Sequence, residues 1–390
     1  MFRRKLTDTI TGCLALFPAV AVLGPRQVGK TTLVKTLLGV CSTEVLYLDL
    51  EYSADQRRLQ EPDLFFQANQ DKLIVLDEIQ RMPTLFPLLR SMIDQHRIPG
   101  RFVLLGSASP DLLKNSSETL AGRIIYLELP PLLLVEVEPT YTYQQHWLKG
   151  GFPDALQAPD QTAWHFWMES FIQTYVQRDL PDIGLRAQPA TIRRLLTMLV
   201  NLHGGPLNYS HLARSLDLSV PTVQQYVDFL ENAYLIRRLA PYFVNIGKRL
   251  VKAPKVFIRD SGLVHALADI GDYYALTGSP LLGASWEGYV VQQIIARLPM
   301  GVTSYYYRTQ NGAEMDLILV KAGKPVVSIE IRYSNAPSLT RGNGQSIDDL
   351  QTVINLVVTP EAEGYWLRKD VKVCSIHSVW QELAAAGLMA

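Results

Sequence analysis

The sequence predicts an α/β protein with three successive regions, and three observations support this. Five apolar runs at residues 19–23, 45–50, 72–76, 102–106 and 124–129 alternate with helical patterns or loops. Such alternation is typical of a five-stranded parallel sheet covered by helices. Residues 207–232 carry two helical patterns separated by a short turn. Residues 281–390 alternate helix and strand patterns again, which predicts a second α/β domain.

The composition limits the functions that the chain can have. Its 390 residues suffice for two or three domains. The net charge is zero, so any binding of nucleic acid must come from a local basic patch. The three cysteines lack metal or redox spacing, and with no signal peptide visible they indicate a cytoplasmic protein. The uncharged stretch at residues 11–25 contains Pro18 and is too short to cross a bilayer, so we expect no membrane insertion.

The segment GPRQVGKTT follows the first apolar run and matches the P-loop pattern G-x-x-x-x-G-K-[ST]. A strand before it and a helical pattern after it supply the context that the motif requires. Backbone N–H groups of the loop and the helix N-terminus would bind the phosphates of ATP or ADP. Lys30 would contact the β- and γ-phosphates, and the Thr31 hydroxyl would ligate Mg²⁺. The predicted nucleotide-binding residues are Gly24, Pro25, Arg26, Gln27, Val28, Gly29, Lys30, Thr31 and Thr32.

Two acidic residues end the third apolar run, KLIVLDEIQ. The carboxyl end of a buried parallel strand is the edge where ligands of open α/β sheets bind. Asp77 would hold Mg²⁺ through water, so Thr31 and Asp77 form the predicted metal site. Glu78 is the predicted base that polarises the attacking water.

Further catalytic candidates of the first region have open alternatives. Ser107 or Ser109, after the fourth run, would hydrogen-bond the γ-phosphate or the attacking water, or would belong to a serine-rich turn. Arg123, before the fifth run, would contact the phosphates of its own site or of a neighbouring subunit in a homo-oligomer. The alternative for Arg123 is an ordinary exposed arginine.

Together, GPRQVGKTTL, LDEIQ with the following Pro83, LLGSAS and LAGR resemble a large prokaryotic family of AAA+-type P-loop ATPases with a C-terminal region of unknown function. The resemblance implies an ATPase in which another strand separates the P-loop strand from the strand carrying the acidic pair, Walker B. It also implies a helical lid at FIQTYVQRDLP, where Arg178 would sense nucleotide or pair with Asp179 at the surface.

From these patterns we expect three domains. The ATPase domain would cover residues 1–145, with a proline-containing linker at 131–147. A helical lid and a winged helix-turn-helix would follow at 146–270, and an α/β domain resembling restriction endonucleases would occupy 271–390.

The winged helix is predicted from helical patterns at 207–216 and 221–232, with Ser219 as N-cap, followed by a hairpin with its turn near 245–247. Residues 237–259 contain seven basic residues and no acidic one, which suits double-stranded DNA. A lid or protein contact is the alternative. The recognition positions would be Ser219, Thr222, Gln224 and Gln225, and the basic run consists of Arg237, Arg238, Lys248, Arg249, Lys252, Lys255 and Arg259.

The last region has Glu287 in a helical pattern, Asp316 in an apolar strand, and Glu330 followed two residues later by Arg332 in another strand. This spacing resembles the core of restriction-endonuclease-like nucleases, where such carboxylates share Mg²⁺. Arg332 replaces the expected lysine. On the same strand face, its permanent charge would lie beside both Asp316 and Glu330 and neutralise them. We therefore expect a nuclease-like fold that binds divalent ions poorly and cleaves no DNA.

The sequence thus favours a cytoplasmic, Mg²⁺-dependent ATPase whose nucleotide state controls a DNA- or protein-binding C-terminal half. Two alternatives stay open at this point. One is a nucleotide-dependent switch or scaffold with little turnover, and the other is an ATP-regulated, metal-dependent nuclease. Measurements of ATP turnover and of DNA cleavage distinguish the three.

Overall fold

A computed structural model of the chain describes residues 2–38, 44–107, 120–243 and 250–389. In the first region the predicted apolar runs form strands β1 (Ala19–Gly24), β2 (Val45–Asp49), β3 (Leu73–Asp77), β4 (Phe102–Ser107) and β5 (Ile124–Glu128). The helices described here are α1 (Leu6–Leu14), α2 (Lys30–Leu38), α3 (Ser53–Arg58), α4 (Pro62–Ala68) and α5 (Leu85–Gln95). The predicted α/β architecture of this region is confirmed.

The five strands form one parallel sheet in the order β2-β3-β4-β1-β5. Strand β4 therefore separates β3, which carries the acidic pair, from β1, which precedes the P-loop, as the family resemblance implies. The register pairs Gly24 at the end of β1 with Ser107 at the end of β4, and Asp49 with Asp77. The candidate residues at these strand ends thus meet at one edge of the sheet.

Both faces of the first sheet are buried, because alternate residues of β1 enter different hydrophobic clusters. Ala21 and Leu23 pack in a cluster with residues of α4 and α5. Val20 and Val22 belong to a cluster that continues into the next region, where it includes Trp164. The first two regions therefore share one continuous core.

The middle region is helical. Its elements are α6 (Leu134–Val137), α7 (Tyr143–Lys149), α8 (Pro153–Leu156), α9 (Gln161–Thr174), a π-helical turn (Tyr175–Asp179), α10 (Leu180–Asp182), α11 (Pro189–Asn201), α12 (Tyr209–Leu216) and α13 (Val220–Asn232). The predicted linker at 131–147 is wrong. Its apolar residues are buried in a cluster shared with the last region, so burial of side chains such as Trp147 outweighs the turn preference of the neighbouring prolines.

Helices α12 and α13 confirm the two helices predicted before the hairpin. The Ser219 hydroxyl accepts the Thr222 N–H at 3.2 Å and caps α13 as expected. Strands β6 (Ile236–Leu239) and β7 (Lys255–Ile258) follow and pair antiparallel. The predicted turn near 245–247 lies outside the described residues.

The last region is a second α/β unit. Its elements are α14 (Ser261–Leu267), α15 (Tyr273–Thr277), α16 (Leu282–Ile295), β8 (Val302–Arg308), β9 (Glu314–Lys321), β10 (Lys324–Ile331), α17 (Arg341–Leu350), β11 (Ile354–Thr359), β12 (Tyr365–Arg368), β13 (Val371–Ser375) and α18 (Val379–Ala385). The sheet order is β12-β13-β11-β10-β9-β8, with β9 and β10 antiparallel and β10 and β11 parallel. Among the described helices, none is both long and apolar enough to cross a membrane.

Candidate functional site

The P-loop joins β1 to α2, and two of its positions require glycine. A Cβ atom on Gly24 would lie 2.3 Å from the carbonyl oxygen of Leu129, so a side chain there would push the loop away from the segment after β5. Gly29 has a φ of +89°, a conformation that residues with side chains rarely adopt. Helix α2 begins at the next residue, Lys30. The strand, loop and helix thus follow one another as the motif requires.

A basic residue near the N-terminus attaches the P-loop to the segment after β5. The Arg4 Nη1 donates to the Val28 carbonyl at 2.8 Å, and Nη2 donates to the Pro130 carbonyl at 2.5 Å. Burial lowers the pKa of Arg4, and an ion pair with Glu136 at 3.1 Å opposes that shift. Sequence reasoning missed this role, because its partners lie far along the chain and no local pattern indicates them.

The Lys30 ammonium lies inside the loop. Its Nζ donates to the carbonyl oxygens of Gly24 at 3.1 Å and Pro25 at 2.8 Å, and only 6% of the residue is exposed. Burial lowers the pKa of Lys30 to about 8, while the charges of Glu78 and Asp77 act in the opposite direction. Because charged acceptors form stronger hydrogen bonds than carbonyls, phosphate oxygens would be better partners for this ammonium.

The two predicted metal ligands are in direct contact. Thr31 Oγ1 donates to Asp77 Oδ2 at 2.7 Å, and the Tyr47 hydroxyl donates to the same oxygen at 2.5 Å. Burial, followed by the hydrogen bond to Asp77, raises the pKa of Tyr47, so the phenol stays a neutral donor. Hydroxyl and carboxylate oxygens are the hard ligands that Mg²⁺ prefers, so Thr31 and Asp77 fit this ion. Sequence reasoning missed Tyr47, because only the sheet order places β2 beside β3.

Glu78 follows Asp77 in an unusual backbone conformation. Its φ and ψ are +54° and +46°, in the left-handed region that costs a residue other than glycine about 1 kcal/mol or more. The Glu78 N–H donates to Asp77 Oδ1 at 2.9 Å, and the Gln80 amide donates to the Glu78 carboxylate. Burial raises the pKa of Glu78, and the charge of Lys30 opposes this shift. A carboxylate with a raised pKa is the better proton acceptor.

Ion pairs connect the P-loop to the helical region. Arg26 Nη1 pairs with Asp179, which is buried in the π-helical turn. Arg26 Nη2 lies 3.5 Å from Glu51, and Arg81 lies 2.9 Å from the same carboxylate. Arg81 also lies 3.4 Å from Asp182. The turn around Asp179 is therefore linked both to the loop and to the segment that follows the acidic pair, a connection that sequence reasoning missed.

Three further candidates of the first two regions are Ser107, Ser109 and Arg178. Ser107 is the last residue of β4 and lies beside Gly24 in the sheet. Ser109 lies outside the described residues. Arg178 is 68% exposed and lies 3.3 Å from Asp179, a buried carboxylate that also pairs with Arg26. Nucleotide sensing by Arg178 stays a prediction.

Arg123 lies at the opposite edge of the sheet from the P-loop. The next residue, Ile124, pairs with Ala19 at the start of β1, so about 20 Å of strand separates Arg123 from the loop. The Arg123 Nε and Nη2 pair with Asp94 at 2.6 and 2.8 Å. An arginine at this edge is far from the phosphates of its own site, which leaves a neighbouring subunit as the remaining nucleotide-contacting alternative.

A second charged cluster lies where the middle and last regions meet. The Lys255 Nζ on β7 lies 2.8 Å from Glu287, 2.9 Å from Glu314 and 3.2 Å from Asp316. The lysine side chain is 2% exposed. Burial lowers its pKa, but the three carboxylates outweigh burial and raise the pKa well above its ordinary value. Lys255 is therefore the permanent counter-ion of this cluster.

Glu330 lies beside the same cluster. Burial, followed by the charge of Asp316, raises the pKa of Glu330 to about 9. Arg332 pairs with Glu330, whereas the cation beside Asp316 is Lys255. The expectation that Arg332 lies beside both carboxylates is thus correct for Glu330 and wrong for Asp316. The charge of Arg332 opposes the raised pKa of Glu330 without outweighing burial. Across the described ranges, no group of three or more His, Cys, Asp or Glu residues is arranged to hold a metal ion. Poor metal binding and absent cleavage stay predictions.

Of the five described residues in the basic run predicted to contact DNA, three are paired with carboxylates inside the protein. Arg238, Lys255 and Arg259 each form an ion pair with at least one carboxylate, while Lys252 is exposed. The members of the run outside the described residues are Lys248 and Arg249. The predicted recognition positions on and before α13 are at least partly exposed: Ser219, Thr222, Gln224 and Gln225.

Comparisons with known proteins identify the family. Protein-family models match an AAA domain at residues 16–138, a domain of unknown function (DUF8612) at 140–274 and a domain of unknown function (DUF4143) at 282–379. Uncharacterized protein Rv2008c of Mycobacterium tuberculosis and uncharacterized protein Mb2031c of Mycobacterium bovis are each 41% identical over 358 residues, 92% of this chain and 80% of the relative. The chain belongs to the same family as these two proteins. It joins an AAA-type domain to C-terminal domains of unknown function.

The chain also has more distant likenesses to other proteins. An uncharacterized protein of Haemophilus influenzae is 24% identical over 288 residues, 65% of this chain and 70% of that protein. The Walker-type ATPase PABY2304 of Pyrococcus abyssi has a TM-score of 0.45 at 16% identity, covering 69% of this chain and 96% of that one. A RuvB variant of Thermotoga maritima has a TM-score of 0.33 at 19% identity, covering 60% and 88%. The AAA-type assignment rests on the family match and the sheet order.

The Lys255 cluster generates a stability prediction. Lys255→Met should lower the free energy of unfolding by about 3–5 kcal/mol, because Glu287, Glu314 and Asp316 would lose their buried counter-ion. The loss should be larger at about pH 8 than at about pH 5. Burial already raises the pKa of Glu287 to about 8. When the pKa of a carboxyl group is higher in the folded than in the unfolded protein, the free energy of unfolding falls as pH rises from the unfolded to the folded pKa. Removing the lysine raises the folded pKa further and so strengthens this effect.

Urea unfolding at the two pH values measures the change. Lys252→Met is the matched control, since Lys252 is exposed on the same segment, and it should change stability by less than about 0.5 kcal/mol. Equal losses for Lys255→Met at both pH values would contradict the role of Lys255 as a counter-ion.

Proposed function

We propose that this AAA-type protein binds and hydrolyses ATP with Mg²⁺ at the P-loop edge of its first sheet. The observation that supports this best is the 2.7 Å contact between Thr31 Oγ1 and Asp77 Oδ2 beside the Lys30 ammonium. These groups belong to the P-loop and to the acidic strand, whose joint task in P-loop NTPases is to hold Mg²⁺ and phosphates. Thr31 would coordinate Mg²⁺ directly and Asp77 through water, and the ion would neutralise charge on the phosphates.

The residues around the phosphates have separate tasks in this proposal. Lys30 exchanges its contacts with the Gly24 and Pro25 carbonyls for phosphate oxygens, which form stronger charge-assisted hydrogen bonds. Backbone N–H groups of the loop and the start of α2 bind the remaining oxygens. Glu78 orients the attacking water and accepts its proton, and the Gln80 amide positions the Glu78 carboxylate.

In this proposal, a change of bound nucleotide alters the contacts of Arg26 and thereby affects the rest of the chain. Its guanidinium pairs with Asp179 in the π-helical turn, and a bound phosphate competes with that carboxylate for the same charge. Release of Asp179 on binding, and its recapture after hydrolysis, moves the helical lid that carries the turn. Such an exchange of contacts between two states is how γ-phosphate switches act on neighbouring segments.

The C-terminal half is the part that this motion controls, and its partner is a protein. The supporting observation is that Arg238, Lys255 and Arg259 of the basic run are paired within the chain, which leaves them unable to neutralise DNA phosphates. Double-stranded DNA is the second candidate. It is favoured by the exposed Gln224 and Gln225 on α13, the helix that would read bases if α12, α13, β6 and β7 act as a winged helix.

The P-loop assignment predicts the effect of Lys30→Ala. MgATP binding should disappear while the fold is kept, because the charge-assisted phosphate contacts are lost. Titration calorimetry with MgATP measures binding, and circular dichroism checks the fold. Lys369→Ala is the control, because Lys369 is exposed and belongs to the last region. Wild-type affinity in the Lys30 variant would show that the nucleotide site is elsewhere.

The acidic pair predicts the effect of Glu78→Gln. The variant should bind ATP normally and hydrolyse it at least about a hundredfold more slowly, the usual scale for loss of a general base. Glu44→Gln serves as the control, since Glu44 pairs with Lys72 at the surface. Very slow hydrolysis already in the wild type would instead favour the nucleotide-dependent switch or scaffold.

The position of Arg123 predicts complementation between subunits. Arg123→Ala and Glu78→Gln proteins should each be slow, and a mixture that exchanges subunits should regain part of the steady-state ATPase rate. Recovery is expected because some interfaces then combine an intact Glu78 with an intact Arg123. Arg97→Ala is the control, since Arg97 donates to the Gly122 carbonyl at the same edge. A mixture no faster than its components would exclude a role for Arg123 at a neighbouring site.

A further inference from the structure

A cleft of about 1240 Å³ lies between the first region, strand β6 and the C-terminal end of helix α16. Helix α1 and strand β5 contribute one wall, and residues 236–240 and 295–300 contribute others. The P-loop residues 24–32 are not part of its lining. The cleft is therefore separate from the candidate nucleotide site, although it touches all three regions of the chain.

Basic side chains outnumber acidic ones along this cleft. Among the described residues, five basic and three acidic residues line it. Each acidic residue already has a basic partner: Glu128 pairs with Arg259, Glu136 with Arg4, and Glu231 with Arg238. The three carboxylates are therefore already paired, and two further arginines of the lining have no carboxylate partner among them.

The two remaining arginines are Arg237 and Arg297. Burial lowers the pKa of both arginines, and nearby carboxylates oppose that shift. Neither arginine forms a hydrogen bond or ion pair with a carboxylate in the described part of the chain. Burial, followed by the charge of Arg259, lowers the pKa of Arg237 to about 9. The guanidinium of Arg297 stacks on the Trp380 ring at 3.7 Å, which fixes its orientation.

Guanidinium donors along the cleft also lack acceptors. Arg297 Nη1 and Arg259 Nε are buried without a hydrogen-bond partner among the described residues, and Arg259 is only 7% exposed. A buried donor without an acceptor costs about 1–3 kcal/mol, and more for a charged group. An anion in the cleft would supply charge to Arg237 and acceptors to Arg259 and Arg297, which both line it.

We propose that the cleft binds a small molecule carrying two or more phosphate charges, with Arg237 and Arg297 as its charged ligands. Arg259, whose charge is paired with Glu128, would serve only as a further hydrogen-bond donor. Guanidinium groups present pairs of donors that match the spacing of phosphate oxygens. The apolar lining, which includes Phe17 and Leu298, contacts the uncharged part of the molecule. A small ligand fits better than duplex DNA, because the backbone of a duplex cannot reach an arginine as buried as Arg259.

The test uses the full chain carrying Lys30→Ala, which removes the P-loop as a competing phosphate site. Titration calorimetry with inorganic pyrophosphate should show saturable binding. Arg237→Gln and Arg297→Gln should each weaken it at least about tenfold, since a hydrogen bond to a charged group contributes more than the 1.4 kcal/mol that corresponds to a tenfold change. Arg194→Gln is the matched control, because Arg194 is exposed and donates to the Ser215 carbonyl.

A second measurement does not depend on the folding of the cleft variants. In the Lys30→Ala protein, pyrophosphate should protect Arg237 and Arg297 from modification by phenylglyoxal, as read by mass spectrometry, and should leave Arg194 unprotected. Absence of saturable binding, or unchanged affinity in both cleft variants, would overturn the proposal. Displacement of pyrophosphate by a duplex of about 20 base pairs would also overturn it, because the cleft would then be a DNA contact.

Discussion

The parallel pairing of β1 with β4, and of β4 with β3, is the constraint on which the candidate nucleotide site depends. Thr31 and Asp77 are 46 residues apart, and their hydrogen bond exists because the sheet brings the ends of β1 and β3 to one edge. Side chains of a strand alternate between faces, so a slip of one residue in β3 would turn Asp77 away from the loop. Burial of every residue of β3 specifies that register.

Buried ion pairs between regions form the second constraint. Arg26 connects the P-loop to the π-helical turn, and Lys255 of the middle region lies among carboxylates of the last region. A buried charge that loses its partner is strongly destabilised. The regions are therefore held by specific charges as well as by their shared apolar core. A ligand that competes for one of these charges acts on the arrangement of regions, which is the physical basis of the proposed coupling through Arg26.

The last region illustrates why a spacing of residues does not by itself define an activity. Glu287, Asp316 and Glu330 lie close enough to shift one another's pKa, as the nuclease-like core predicted from the sequence would require. The position between the first two is taken by the Lys255 ammonium, at 2.8 Å and 3.2 Å. A lysine counted from the sequence as a DNA contact is thus an internal counter-ion. The same residue removes an argument for DNA binding and alters the expected metal chemistry of the last region.

The sequence by itself determined the elements whose signals are local: the apolar runs that form the first sheet, the P-loop from Gly24 to Thr32, and the acidic pair at Asp77. These depend on contiguous residues, whose periodicity and spacing carry the information. The tertiary structure alone decided which charges neutralise one another. Arg4 pairs with Glu136 across 132 residues, and Lys255 pairs with Asp316 across 61. Pairing of this kind depends on how distant segments pack. The same packing buries apolar side chains of residues 131–147, where prolines had predicted a linker.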